Sequence, residues 1–210
     1  MMLKGIYESL DSIACRMETD KASVFTRTYA KPKNYCVHYQ RFFDELRMEP
    51  IKLIEIGAAG GESIRLWLEF FPNAHVWGID IVQNTNEWNT VGAKTHPRYT
   101  FIHGDQSDPT LWACLAADTG GNWDIVIDDG SHMAKDIINA FEAGWQFVRS
   151  GGWWCVEDLG CGYGEGSIFR SPGYPNHPEW IHAIIDNINQ GKKDVESIYC
   201  APELAILRKQ

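Results

Sequence analysis

The chain has 210 residues, enough for one α/β domain that encloses a real core, plus a short accessory segment. Its apolar share of 44% is ordinary, no apolar stretch approaches the roughly 20 residues of a membrane-spanning helix, and Glu8 and Asp11 interrupt the N-terminus where a secretory signal needs an apolar run; a cytoplasmic protein with no membrane partner is expected. A formal charge of -9 argues against nucleic acid, which needs a basic face, and six scattered cysteines (Cys15, Cys36, Cys114, Cys155, Cys161, Cys200) without a C-x-x-C pair read as reduced packing residues, not a zinc knot or redox dithiol.

Residues 1–49, with Thr19-Asp20-Lys21 and the aromatic, basic stretch 35–43, read as a helical cap over a crevice; residues 50–210 read as the main domain. The first apolar run, residues 51–56, breaks at a glycine-rich turn, residues 57–61, before a helix over residues 63–70. A second strand, residues 74–79, runs into Asp80, and a third, residues 99–103, into Gly104 and Asp105. The fourth, residues 123–127, reaches Asp128 and Asp129, and the fifth, residues 153–156, reaches Glu157 and Asp158. Residues 160–178, rich in Gly, Pro, Tyr and Ser, are irregular, as loops over active sites often are. The last two runs, residues 195–200 and 203–207, read as a hairpin. Apolar runs alternating with amphipathic stretches predict a Rossmann-like, doubly wound, mostly parallel sheet with an antiparallel C-terminal strand and a short helical N-terminal cap. Four strands end in acids, and in such a sheet the C-terminal strand ends line the ligand crevice, so these carboxylates should converge on one site.

The glycine turn lets backbone approach a ligand closely, although a tight connection alone would explain it. Asp80, about 20 residues further on, is placed to accept both hydroxyls of a ribose, which suits a nicotinamide dinucleotide and S-adenosylmethionine equally. Asp105 and Gln106 are candidates for an adenine amino group, and a helix cap around Ser107 and Asp108 is compatible with that role. The segment Glu55-Ile56-Gly57-Ala58-Ala59-Gly60-Gly61 resembles the E-x-G-x-G-x-G motif of class I S-adenosylmethionine-dependent methyltransferases, with Ala59 where that family usually has its middle glycine. The terminal hairpin is similar to the family's reversed seventh strand, and the resemblance spans about residues 50–210. It implies S-adenosylmethionine as the cofactor, with Glu55, Gly57, Gly61, Ser63, Asp80, Asp105, Gln106 and Asp128 as the expected binding set.

Asp128-Asp129-Gly130-Ser131-His132 at a strand end suits a polar site or a solvated loop, and Glu157-Asp158 adds a second acidic pair to the same crevice. Oxygen ligands of this kind suit Mg²⁺ or, equally, an ammonium group. Residues 127–132, 156–159 and 104–108 together resemble the methyltransferases that decorate antibiotic sugars, and Thr19-Asp20-Lys21 and residues 35–39 are similar to that family's N-terminal cap. Macrolide deoxysugar O-methyltransferases of this type depend on Mg²⁺, so the resemblance implies metal ligands at Asp129 and Asp158 and a catalytic base at His132, with Asp129 in the catalytic set. The chain is shorter than those enzymes and is expected to lack their additional N-terminal region.

The acidic balance leans toward a cationic aminoglycoside methylated on nitrogen; a sugar hydroxyl of a macrolide or other glycoside is the main competitor. Glu157, Asp158 and Tyr163 are the expected substrate contacts. Trp153, Trp154, Tyr163, Tyr174 and Trp180 are aromatic candidates for sugar stacking or, more often at such places, core. A nucleotide-dependent oxidoreductase and a non-catalytic S-adenosylmethionine-binding module are the alternatives of other classes. The N-terminal cap is a candidate homodimer surface.

Overall fold

The computed structural model describes residues 7–24, 31–82, 95–164, 166–192 and 194–210. One sheet holds β1 (Lys52–Ile56), β2 (His75–Asp80), β3 (Tyr99–His103), β4 (Trp123–Asp128), β5 (Val148–Val156), β6 (Val195–Ala201) and β7 (Leu204–Lys209), in the spatial order β3-β2-β1-β4-β5-β7-β6. Neighbours from β3 through β5 are parallel, and β7 runs antiparallel to β5 and β6. The direction of winding reverses between β1 and β4, which opens a crevice at their C-terminal ends. Ladder-like hydrogen bonds continue past those ends: Gly57 N to Ile79 O at 2.8 Å, Asp129 N to Ile56 O at 3.1 Å, Glu157 N to Asp128 O at 2.9 Å. Three loops are thereby held level around one opening.

Among the described residues, six α-helices cover the sheet: α1 (Leu10–Met17), α2 (Tyr35–Phe43), α3 (Glu62–Phe70), α4 (Pro109–Thr119), α5 (Ala134–Gly144) and α6 (His177–Asn189). Their starts follow local chemistry. Ser9 accepts from Ser12 N, Asp108 accepts from Thr110 N with Pro109 following, and Asn176 and Glu179 form a reciprocal capping box. Strand alternation divides the core in two. Leu53, Ile125 and Cys155 face α1, α2 and α3, where Leu10, Tyr39, Phe43, Ile64 and Trp67 are buried; Ile54, Val126 and Trp154 face α4, α5 and α6, where Trp112, Phe141 and Trp180 are buried.

The apolar stripe Tyr35, Tyr39 and Phe43 packs α2 against Trp67 on the α3 side of the domain, and the first segment reaches the strand ends through Lys21 and Lys33 and through Tyr35 and Tyr39 of α2, whose hydroxyls donate to Asp158 and Glu157. One expected boundary needs correction. Strand β5 begins at Val148 instead of Trp153, because its pairing with β4 contains a bulge and Gly151, at φ +71, carries the backbone through it. Of the aromatic candidates, Trp154 and Trp180 belong to the core, Trp153 tilts against Phe42 at 5.1 Å, and Tyr163 and Tyr174 are exposed. All six cysteines are free.

Candidate active site

A cavity of about 460 Å³ opens at the C-terminal ends of β1, β2 and β4. At one end stands Asp80, the last residue of β2. Its Oδ2 accepts from Ala59 N and its Oδ1 from Val82 N, each at 2.9 Å, which fixes the carboxylate and leaves lone pairs for a ligand's hydroxyls. The wall between the ends is Gly57, at φ +85; a Cβ there would collide with the carbonyl oxygen of Asp129, so only glycine lets the first loop lie against the fourth-strand loop. Asp105 and Gln106 line the side, and the Gln106 amide is already committed, donating to Asp128 at 3.0 Å and accepting from Ser131 N at 2.9 Å.

The opposite end gathers Asp129, His132 and Asp158, whose ligand atoms all lie within 4.8 Å of one another. His132 adopts a left-handed backbone conformation, φ 57, and its Nε2 is 3.6 Å from Asp158 Oδ2. Phe169 meets the imidazole edge to face at 6.2 Å, and the Phe169 carbonyl accepts from Ala134 N at 2.9 Å, so the irregular segment after β5 packs beside the histidine. Asp158 is two-sided: its Oδ1 accepts from Tyr35 Oη at 2.7 Å and pairs with Lys33 at 2.8 Å. Burial pushes the Asp158 carboxyl up, but these donors outweigh it and hold it below the usual carboxylate range.

The expected residues divide by position. Gly57, Asp80, Asp105, Gln106, Asp129, His132 and Asp158 line the cavity. Glu55, Gly61, Ser63 and Asp128 do not. Alternation along β1 turns Glu55 away from the opening to α3, where Ser63 Oγ donates to it at 2.9 Å and Trp67 Nε1 at 3.2 Å; burial pushes its pKa up to about 7. Asp128 is buried beneath Gln106, and burial likewise raises it to about 7. Glu157, expected at the substrate, is enclosed instead: Lys21 Nζ lies 2.6 Å from its Oε2 and Tyr39 Oη donates to its Oε1 at 2.7 Å. Tyr163 is 64% exposed and stands outside the cavity lining.

Sequence reasoning missed the roles of four residues from the first segment and of Asp136. Lys21, only 1% exposed, sits among Asp129, Glu157 and Glu55. Burial would push its ammonium down, but the carboxylates of Asp129, Glu157, Glu55 and Asp20 prevail and hold it well above the lysine range. Tyr39 belongs to the same cluster, while Lys33 and Tyr35 grip Asp158. A lysine in a polar stretch carries no local sign of burial; the only signal was the likeness of Thr19-Asp20-Lys21 to a family segment. Asp136 lines the cavity and accepts from Ser131 Oγ at 2.7 Å.

Both absent groups pass a test of fit. A hard divalent ion holds its oxygen ligands at about 2.1 Å, with opposite ligands about 4.2 Å apart, a separation that the Asp129 and Asp158 oxygens, within 4.8 Å of each other, can meet. A nucleoside-bearing cofactor needs a space of roughly 300–1,000 Å³ with a few convergent polar groups, which this cavity provides.

Comparison with known proteins agrees with this layout. The methyltransferase-domain family matches residues 54–159. Demethylmacrocin O-methyltransferase of Streptomyces fradiae is 34% identical over 164 residues, 72% of this chain and 40% of that protein. A rhamnosyl tetracenomycin-C 2'-O-methyltransferase of Streptomyces olivaceus is 34% identical over 161 residues, 73% of this chain and 38% of that one. The chain thus spans about two fifths of the length of these relatives. Among solved structures, the MycE methyltransferase of the mycinamycin pathway, in complex with Mg, SAH and mycinamycin VI, superimposes with a TM-score of 0.81 at 26% identity, over 97% of this chain and 55% of that one.

Proposed function

Because the chain belongs to the methyltransferase-domain family, we propose that it transfers the methyl group of S-adenosylmethionine to a hydroxyl on a sugar of an antibiotic or its precursor. The observation that carries the reading is one cavity joining Asp80, suited to a ribose, to the Asp129, His132 and Asp158 cluster. The relatives above are named for O-methylation of antibiotic sugars, which favours the hydroxyl over the aminoglycoside amine toward which the acidic composition leaned.

When bound, S-adenosylmethionine supplies an electrophilic methyl carbon and Mg²⁺ a Lewis acid for an acceptor oxygen. Asp80 would hold the ribose hydroxyls, and Asp105 and Gln106 would border the adenine. Asp129 and Asp158 would hold the ion. His132 accepts the acceptor hydroxyl's proton at Nε2, where Asp158 Oδ2 at 3.6 Å stabilises the resulting imidazolium. Phe169 packs beside the His132 ring, and Gly57 walls the cavity between its two ends.

The test is calorimetric titration with S-adenosylhomocysteine and NAD, followed by labelled methyl transfer to a macrolide bearing a free sugar hydroxyl and, separately, to kanamycin, with and without Mg²⁺. Binding of S-adenosylhomocysteine without NAD, and Mg²⁺-dependent label on the macrolide sugar, is the expected result. Label on kanamycin alone would restore the amine reading, and NAD binding alone would remove methyl transfer.

A further inference from the structure

The candidate metal ligands are each gripped through one oxygen by a lysine of the N-terminal segment. Lys21 binds Asp129 through Oδ2, and Oδ1 carries no hydrogen bond among the described residues. Lys33 and Tyr35 bind Asp158 through Oδ1, and Oδ2 faces His132. Lys21 is the more firmly placed of the two lysines. Its carbonyl accepts from Cys36 N at 3.0 Å, tying it to the start of α2, and its side chain is buried. Its ammonium also binds Glu157, which Tyr39 holds from the other side.

We propose that Lys21 is a positioning residue: by holding Oδ2 of Asp129 it makes that carboxylate present Oδ1 to the point where Asp158 and His132 converge. The inference rests on the metal reading given above. A carboxylate without such a donor rotates about its last side-chain bond, and losing the partner of a metal ligand typically weakens metal binding about 10- to 100-fold. Removing a positive charge beside a cation would by itself act in the opposite direction. The two effects separate when Lys21 and Glu157 are neutralised together, since the net charge of the cluster is then unchanged and Asp129 loses only its donor.

The experiment measures Mn²⁺ affinity by electron paramagnetic resonance and S-adenosylhomocysteine affinity by calorimetry, first on the unaltered protein. No Mn²⁺ binding there would remove the metal reading and this proposal with it. Given binding, Lys21→Met with Glu157→Gln is expected to weaken Mn²⁺ by about 10-fold or more while S-adenosylhomocysteine binds as before. Lys21→Gln with Glu157→Gln, which brings a neutral amide donor to within one bond length of the Lys21 ammonium position, is expected to recover part of that loss. Unchanged or tighter Mn²⁺ binding in the Met variant overturns the proposal, as does an equal loss in the Gln variant. Loss of both ligands together would assign Lys21 a role in folding alone and would overturn it as well.

Discussion

The two ends of the cavity are built in different ways. At the Asp80 end the contacts are short in sequence: Val82 N binds Asp80 two positions away, and Ala59 N binds it 21 positions away, both by backbone donors. At the Asp129 end the chain reaches across 108 residues from Lys21 to Asp129 and 136 from Lys21 to Glu157, through buried side-chain charges. The first kind of site survives most changes of side chain around it. In the second, each charge depends on the others, because a buried charge that loses its partner keeps its desolvation cost.

His132→Ala should separate the ends most sharply: about 10²- to 10⁴-fold lower kcat in the transfer assay, with S-adenosylhomocysteine affinity unchanged. Lys21→Met should lower unfolding stability by about 3–5 kcal/mol, because it leaves buried Glu157 without a counter-ion. Urea denaturation measures it, and a loss below about 1 kcal/mol would mean that the buried cluster is not interdependent. Gly57→Ala tests the wall common to both ends. The strained φ and the collision with Asp129 should cost about 2–3 kcal/mol in the same measurement and weaken both ligands.

Asp80→Ala should weaken S-adenosylhomocysteine by about 10- to 100-fold and leave Mn²⁺ affinity alone, since a charged hydrogen-bonding group is lost only at its own end. The smallest effect is in pH. Glu55 is raised by burial from 4.5 to about 7 in the folded protein, so its contribution is complete below about pH 4.5 and is lost as pH rises through about 7. Relative to Glu55→Gln, the unaltered protein should lose roughly 2 kcal/mol between pH 5 and 8 by urea denaturation. A constant difference would place the Glu55 titration outside that window.

Fold and site were unequally legible. The strands at residues 51–56, 74–79 and 123–127 announce themselves because apolar residues bounded by glycine or acid can satisfy both faces of a central parallel sheet. The bulge that starts β5 at Val148 was hidden, since bulges depend on the partner strand. Asp80, Asp129, His132 and Asp158 were legible because each sits at or just beyond a strand end, where topology alone sends it to the crevice. Glu55 and Glu157 lie equally near strand ends, yet their side chains turn into the protein.

The sheet, its terminal hairpin and the set of acids able to converge were readable along the chain, because hydrophobic periodicity and strand-end position are local properties. Which of those acids face a ligand and which face Lys21 is settled by long-range packing, because it depends on Lys21, tied to the start of α2, burying its ammonium at the strand ends.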